Sequence, residues 1–346
     1  MNETAPSQNP GQYPGQNPAE DPAQKPTEAQ LRALFSAAAQ NHRHGRLAPA
    51  IAGYLAVLRE IPDMQSAKDN LALALLASGD YERGLRIYEA RFDRTDRPVS
   101  KPKLPLPEWD GRDLAGGSLL VWPEQGLGDQ IMYARFARTL RQRGVASLTW
   151  VAPRELAALF GHLPATIVEY RNEMGLPRAD AWCMAGSLAL KLGVTLATLP
   201  AEPYLPSLPG GRGVGVKANG RPTHHDDANR SLPPEIAAEL LALPGARSLE
   251  PEATGAADFE ATRQIVAGLD SVVTVDTSVA HLAGAMGKPT FLMLPYTADW
   301  RWMTDRSDSP WYPSMRLFRQ PSPGDWTSVI AQVRAALEDR PGHQPA

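Results

Sequence analysis

SVVTVDTSVAHLAGAMGKPTFLML, residues 271–294, decides the fold. SVVTV (271–275) reads as a strand ending at Asp276, TSVAHLAGAMG as a helix opened by Thr277 and Ser278, and PTFLML (289–294) as a second strand. Strand, helix and strand in that order make a parallel pair with the helix on one face of the sheet. Ala280, Ala283, Gly284 and Ala285 leave little bulk on that helix, so it can lie close to its strands. Upstream in the same series stand the strand GVGVK (213–217) and helices over LPPEIAAELLAL and DFEATRQIVAGL. An earlier series has SLLVW (118–122), a glycine turn, a helix over QIMYARFARTLRQRG, the strand SLTWVA (147–152), the helix PRELAALFGHL and a short strand around TIVEY. The two series, joined near residues 200–212, predict an α/β protein of two Rossmann-like lobes, 118–205 and 206–340, with a cleft between them. A last helix, about 325–339, either finishes the second lobe or crosses back to the first.

Before these lobes the pattern is different. From Thr27 the composition turns to Ala and Leu at helical spacing, and Pro26, Thr27 and Glu28 mark a helix start. The stretch repeats on itself: Gly45 and Gly79, Ala50 and Gly84, Tyr54 and Tyr88, Leu58 and Phe92, and Ala38 and Ala72 all lie 34 positions apart. Each unit has a glycine closing one helix, a small residue where helices touch, then an aromatic and an apolar residue. That period resembles the tetratricopeptide repeat, two helices per unit, and the resemblance implies an all-α helical hairpin repeat over 27–93. Two units are few for a stack that buries its faces against neighbours, so they are expected to lean on the following domain. Residues 94–117 are Pro-rich and aperiodic and read as a linker. Residues 1–26, with QNPGQYPGQNP, read as a disordered tail, having too little apolar surface to offset the entropy of ordering.

Composition narrows the function classes. At 43% hydrophobic, 21% charged and a net charge of −3, the chain resembles an ordinary globular protein and lacks the basic footprint of a nucleic-acid binder. No run of about 18 apolar residues suggests a membrane span, and the N-terminus lacks the n- and h-regions of a secretory signal. With one cysteine, Cys183, in the apolar stretch AWCMAGSLAL, a buried structural thiol and a cytoplasmic location are expected.

Chemistry-bearing residues gather at strand ends. After SLLVW comes Trp122-Pro-Glu-Gln-Gly126-Leu-Gly128-Asp129. Its glycines permit a sharp turn and close approach to a ligand, but there is neither a P-loop lysine nor a third dinucleotide-fingerprint glycine. Asp129 is placed either for chemistry at the carboxyl end of the sheet or as a plain helix cap. After SVVTV, the free N–H groups of the helix opened by Thr277 and Ser278 can bind phosphate, and His281 stands one turn further on. The plain alternative is a capped helix with a satisfied histidine. In GVGVKANGRPTHHDDANRSLP (213–233), Lys217 and Arg230 are the candidate cations, with Asn219 and Ser231 as hydrogen-bond partners. His224, His225, Asp226 and Asp227 match no standard zinc spacing and read as a solvated loop. Trp300, Trp302, Trp311 and Tyr312 are placed equally for interface packing or for stacking on a sugar or base. Arg301 is placed equally for phosphate or for the surface.

EQGLGDQ with its aromatic-rich helix, and VDTSVAHLAGAMGKP followed by LPYTADWRW, together resemble the tetratricopeptide-linked glycosyltransferases. These are related to bacterial heptosyltransferases and, more distantly, to protein O-GlcNAc transferases. The resemblance implies a GT-B fold and an inverting transfer of sugar from a nucleotide sugar to an acceptor hydroxyl. No Asp-x-Asp pair sits at a strand end, so no catalytic metal is expected, and no cofactor beyond that co-substrate. It implies Asp129 as general base on the acceptor. It also implies Asp276, Thr277, Ser278 and His281 as the segment holding nucleotide and diphosphate, with Gly126, Gly128, Lys217, Asn219 and Arg230 on the donor side. The repeat implies a protein acceptor modified at Ser or Thr, flagellin being one candidate, with a lipid-linked or polysaccharide acceptor as the alternative. The competing reading is a peptide-binding scaffold whose transferase-like domain is not catalytic.

Overall fold

The computed structural model describes residues 25–95, 99–171, 175, 177–224 and 226–339. The expected tail therefore lies outside the described residues up to position 24, as does His225 of the polar loop.

Four helices come first: α1 (Glu28–Arg43), α2 (Leu47–Glu60), α3 (Gln65–Ala77) and α4 (Tyr81–Tyr88). Thr27 caps α1 reciprocally with Gln30, its Oγ1 accepting from the Gln30 N–H at 3.3 Å while its own N–H donates to Gln30 Oε1 at 2.8 Å. Gly45 and Gly79, the matched glycines, both turn the chain in the left-handed region at φ +69° and +87°. Antiparallel neighbours pack tightly enough that a Cβ on Gly84 would stand 2.8 Å from Leu76 Cγ. Ala38, Ala50, Tyr54, Leu71, Ala74 and Leu75 form a small core of their own. Leu76, Tyr81 and Leu85 instead belong to the main core of the molecule, so the helices lean on the sheet-bearing part of the chain.

Two all-parallel sheets lie beyond them. The first holds β1 (Ser118–Trp122), β2 (Ser147–Ala152), β3 (Thr166–Glu169) and β4 (Ala181–Met184), in the order β3-β2-β1-β4. The second holds β5 (Val214–Lys217), β6 (Ala246–Ser248), β7 (Ser271–Val275), β8 (Thr290–Leu294) and β9 (Met315–Arg319), in the order β6-β5-β7-β8-β9. β4, β6 and β9 were not anticipated. Strand order reverses between β1 and β4 in one sheet and between β5 and β7 in the other, and open α/β sheets bind ligands outside the carboxyl ends of strands at such points.

Several expectations are sharpened. The helix over 130–144 is two, α5 (Leu127–Ala134) and a second at Phe136–Gln142. At the break the buried Arg135 guanidinium donates to the carbonyls of Met132, Pro200 and Trp311 at 2.9, 2.8 and 2.7 Å. From Val99 on, the connector packs against the first sheet. Val99, Leu104 and Leu106 pack on the sheet residues Leu120, Val151, Trp182 and Met184, and Trp109 N–H bonds the Trp182 carbonyl at 2.7 Å. The last helix, Trp326–Glu338, stays on the second sheet with Val214, Val273 and Phe291. Cys183 is fully buried in β4, and burial pushes its thiol pKa up. No described helix is long and apolar enough to cross a membrane.

Candidate functional site

The turn after β1 places Asp129 in the first turn of α5. Gly126, not Asp129, is the N-cap of α5; from the third helical position Asp129 Oδ2 accepts from the Gly126 N–H at 3.0 Å, while its Oδ1 is held by the Arg301 guanidinium. Arg301 also donates to Asp299 Oδ1 at 2.6 Å and stacks on Trp300 at 4.8 Å. Arg301 is thus buried in the site rather than on the surface, and the negative charges of Asp129 and Asp299 hold its pKa well above the usual value against a large desolvation effect. The sharp bend is made by Gln125 at φ +64° and not by the glycines. For a residue with a Cβ that conformation costs about 1–2 kcal/mol. Gly128 has a different task. A Cβ there would stand 2.7 Å from His281 Cδ2 and 3.3 Å from Ser278 Cα, so its absence lets α5 meet the helix Ser278–Ala285 of the second sheet.

On the other wall Asp276 follows directly on the end of β7, and Thr277 opens helix Ser278–Ala285 as an N-cap without a side-chain capping bond; its Oγ1 lies 3.3 Å from Thr274 Oγ1 instead. Desolvation first, then the negative charge of Asp299, raises the Asp276 carboxyl to about 6. His281 is 5% exposed, with Nδ1 2.9 Å from the Tyr312 hydroxyl and its ring stacked on Trp302 at 5.4 Å. Burial, with the Arg301 and Arg135 guanidinium groups nearby, pushes its pKa well below the usual value. The direction favours the neutral imidazole, which meets a ligand through a hydrogen bond. Trp300, Trp302, Trp311 and Tyr312 are all buried where helices and sheets meet, with Trp311 Nε1 donating to the Tyr81 hydroxyl at 2.9 Å.

The β5 loop completes the wall. Lys217 is ion-paired with Glu250, a residue sequence reasoning missed. Glu250 Oε1 also accepts from the backbone N–H groups of Ala218 and Asn219, each at 3.1 Å, and from Asn219 Nδ2 at 3.2 Å. Its signal was an acid just past the second strand of a β/α lobe, where dinucleotide folds place their ribose-binding carboxylate. Arg230 Nη1 donates to the Asp276 carbonyl at 3.1 Å and its Nε lies 3.3 Å from Asp227 Oδ1. Ser231 Oγ accepts from the Gly220 N–H at 2.8 Å.

One cavity of about 1370 Å³ lies between these walls. All ten residues assigned from the sequence line it: Gly126, Gly128 and Asp129 on one wall, Lys217, Asn219, Arg230, Asp276, Thr277, Ser278 and His281 on the other. It continues along the inner helical faces past Ala39, His42, Tyr54, Asn70, Leu73 and Ala77. His224 and Asp226 also line it, but among the described residues no group of three or more His, Cys, Asp or Glu is arranged to hold a metal ion.

No family model matches the chain. It is similar to Protein FlbA of Caulobacter vibrioides, at 25% identity over 359 aligned positions covering 85% of this chain, and it spans 59% of the length of FlbA. Among solved structures it overlaps a glycosyl transferase family 9 protein from Veillonella parvula (TM-score 0.46, 13% identity, 66% of this chain and 98% of that one). It also overlaps the E. coli heptosyltransferase WaaC with ADP (TM-score 0.45, 14% identity, 64% and 100%). The E. coli glycosyltransferase TibC gives a TM-score of 0.39 at 16% identity, covering 69% of this chain and 70% of TibC. At these TM-scores the overlaps are partial, and the architecture rests on strand order and register alone.

Proposed function

We propose that the chain is an inverting glycosyltransferase of GT-B type that moves a sugar from a nucleotide-sugar donor to an acceptor hydroxyl. The observation that carries this reading is the single cavity joining Asp129, the Asp276–Ser278 strand end and the inner faces of the helices. In this reading Asp129 takes the proton of the acceptor hydroxyl as that oxygen attacks the anomeric carbon. The bond from that carbon to the diphosphate breaks, and its electron pair leaves with the nucleoside diphosphate. Arg301 and the Gly126 N–H fix the Asp129 carboxylate, each oxygen keeping lone-pair capacity for the acceptor. The leaving diphosphate faces the uncapped N-terminus at Thr277 and Ser278, with Arg230 beside it and His281 as a neutral hydrogen-bond donor. Glu250 is placed to accept from ribose hydroxyls. No catalytic metal enters the reading.

The helices, taken as two tetratricopeptide units, would hold a protein acceptor presenting Ser or Thr. Flagellin is one candidate, on the arrangement of repeat before transferase alone. The cytoplasm is the expected compartment. A thermal-shift screen of nucleotide sugars followed by a transfer assay on the best donor tests the whole: Asp129→Asn should lower turnover by about 100- to 10,000-fold. Wild-type turnover in that variant would sink the assignment. A second reading, a peptide-binding scaffold, is favoured by one observation: Asp129 and Lys217 are already ion-paired with Arg301 and Glu250. A screen in which no nucleotide or nucleotide sugar raises the melting temperature would select it.

A further inference from the structure

The turn that presents Asp129 is gripped from outside its own sheet. At the end of α4 and just after it the chain sends two side chains into it, Tyr88 and Arg91. The Tyr88 hydroxyl accepts from Gln125 Nε2 at 2.8 Å. Arg91 makes paired bonds to Glu124, Nε to Oε2 and Nη2 to Oε1, both at 3.0 Å and fully buried. Glu89 closes the network, accepting from Arg91 Nη1 at 2.6 Å and from Ser187 Oγ at 2.8 Å. Tyr88 is itself braced, with the Arg91 guanidinium 4.7 Å above its ring and Trp300 6.4 Å away.

Glu124 and Gln125 are adjacent and lead directly into Gly126, whose N–H binds Asp129. Gln125 is solvent-exposed and carries a Cβ, yet its backbone lies at φ +64°. No apolar burial holds it there. Among the described residues, the side-chain hydrogen bond it makes is the one to Tyr88. A backbone conformation that opposes intrinsic preference persists only where neighbours over-determine it. From the turn's own lobe, Gln130 Nε2 holds the Gln125 carbonyl at 3.4 Å and the Gly186 N–H binds Glu124. The helical region adds the Gln125 side-chain bond and the Arg91 pair.

We propose that the helical region has a task beyond holding an acceptor: through Tyr88 and Arg91 it sets the conformation of the turn that carries Asp129. Tyr88 and Arg91 are then positioning residues. The catalytic consequence rests on the transferase reading; the grip itself does not.

Tyr88→Phe in the full chain removes one hydroxyl and keeps the ring packing. Amide hydrogen exchange at Gln125–Gly128 should rise about tenfold while strand Ser118–Trp122 is unchanged. In a Gln125→Gly background, where there is no side chain to hold and the positive φ is free, the same change should have no effect. Unchanged exchange in Tyr88→Phe overturns the proposal. So does an equal rise in the Gln125→Gly background, which would mean that Tyr88 acts through general packing. With a donor in hand, Tyr88→Phe should lower kcat and leave the donor KM; faster exchange with unaltered kcat would overturn the positioning role. An active Asp129→Asn would remove the transferase reading and leave the exchange result standing.

Discussion

Asp276 is a carboxyl group whose folded environment favours its neutral form, because desolvation and the charge of Asp299 raise it to about 6. An acid raised above its unfolded value weakens the fold at neutral pH. Between the two values the native state binds more protons than the unfolded one, so stability grows as pH falls through about 6 toward about 4. Replacing Asp276 with Asn should therefore raise the melting temperature at pH 7 more than at pH 5. An equal change at both values would show that the carboxyl does not titrate in this window. Other single residues were less legible. Gln125 was hidden because glycines stood beside it and offered the obvious bend, whereas the cavity needs Gly128 for its lack of a Cβ against His281. Arg301 and Glu250 were hidden for a different reason. Each owes its role to a partner, Asp129 or Lys217, that is 172 or 33 positions away in the chain.

At the level of elements, β1, β2, β5, β7 and β8 were readable because each is an apolar run bounded by a turn signal. β4 was not, since AWCM flows into AGSLAL with no polar boundary; β6 has three residues, and in β9 the arginines at 316 and 319 fall three apart and break the alternation that marks a half-buried strand. The connection between the two sheets has a feature of its own. Lys288 is 4% exposed, and the three N–H donors of its Nζ are shared among the carbonyls of Leu208, Gly210, Ala267 and Leu269, which lie 3.3, 3.0, 2.9 and 2.8 Å away. One ammonium thus ties residues 208–210 to the second sheet's helical layer, and burial pushes its pKa down. Lys288→Met keeps the length and removes the donor, stranding buried carbonyls at about 1–3 kcal/mol for each left unsatisfied. Urea unfolding should show a loss of at least about 2 kcal/mol. A smaller loss would mean that water or the backbone takes over those acceptors.

For the molecule as a whole, one hydrophobic core runs from Leu76 and Tyr81 of the helices through Trp150 and Phe160 of the first sheet to Leu282 and Trp302 of the second. Trp311 to Tyr81 and Arg91 to Glu124 add polar ties across the same junction. Parts sharing a core should lose it together. Scanning calorimetry should then give one transition whose calorimetric and van't Hoff enthalpies agree, and a separate early transition for the helices would contradict it. The two-sheet plan and the meeting of Asp129 with the Asp276–His281 segment were legible because both lie at strand ends in a β/α order. The continuity of the cavity with the helices was not, since it depends on how α1–α4 dock. That docking also makes removal of residues 27–93 a poor test of acceptor binding, because it would unroof Trp311 and strand Glu124. For the descent of such a chain the shared core has a further meaning. A helical array that doubles as a wall of the interior cannot be exchanged as a cassette. Any change in what it presents to the cavity is then constrained by a junction that must stay the same.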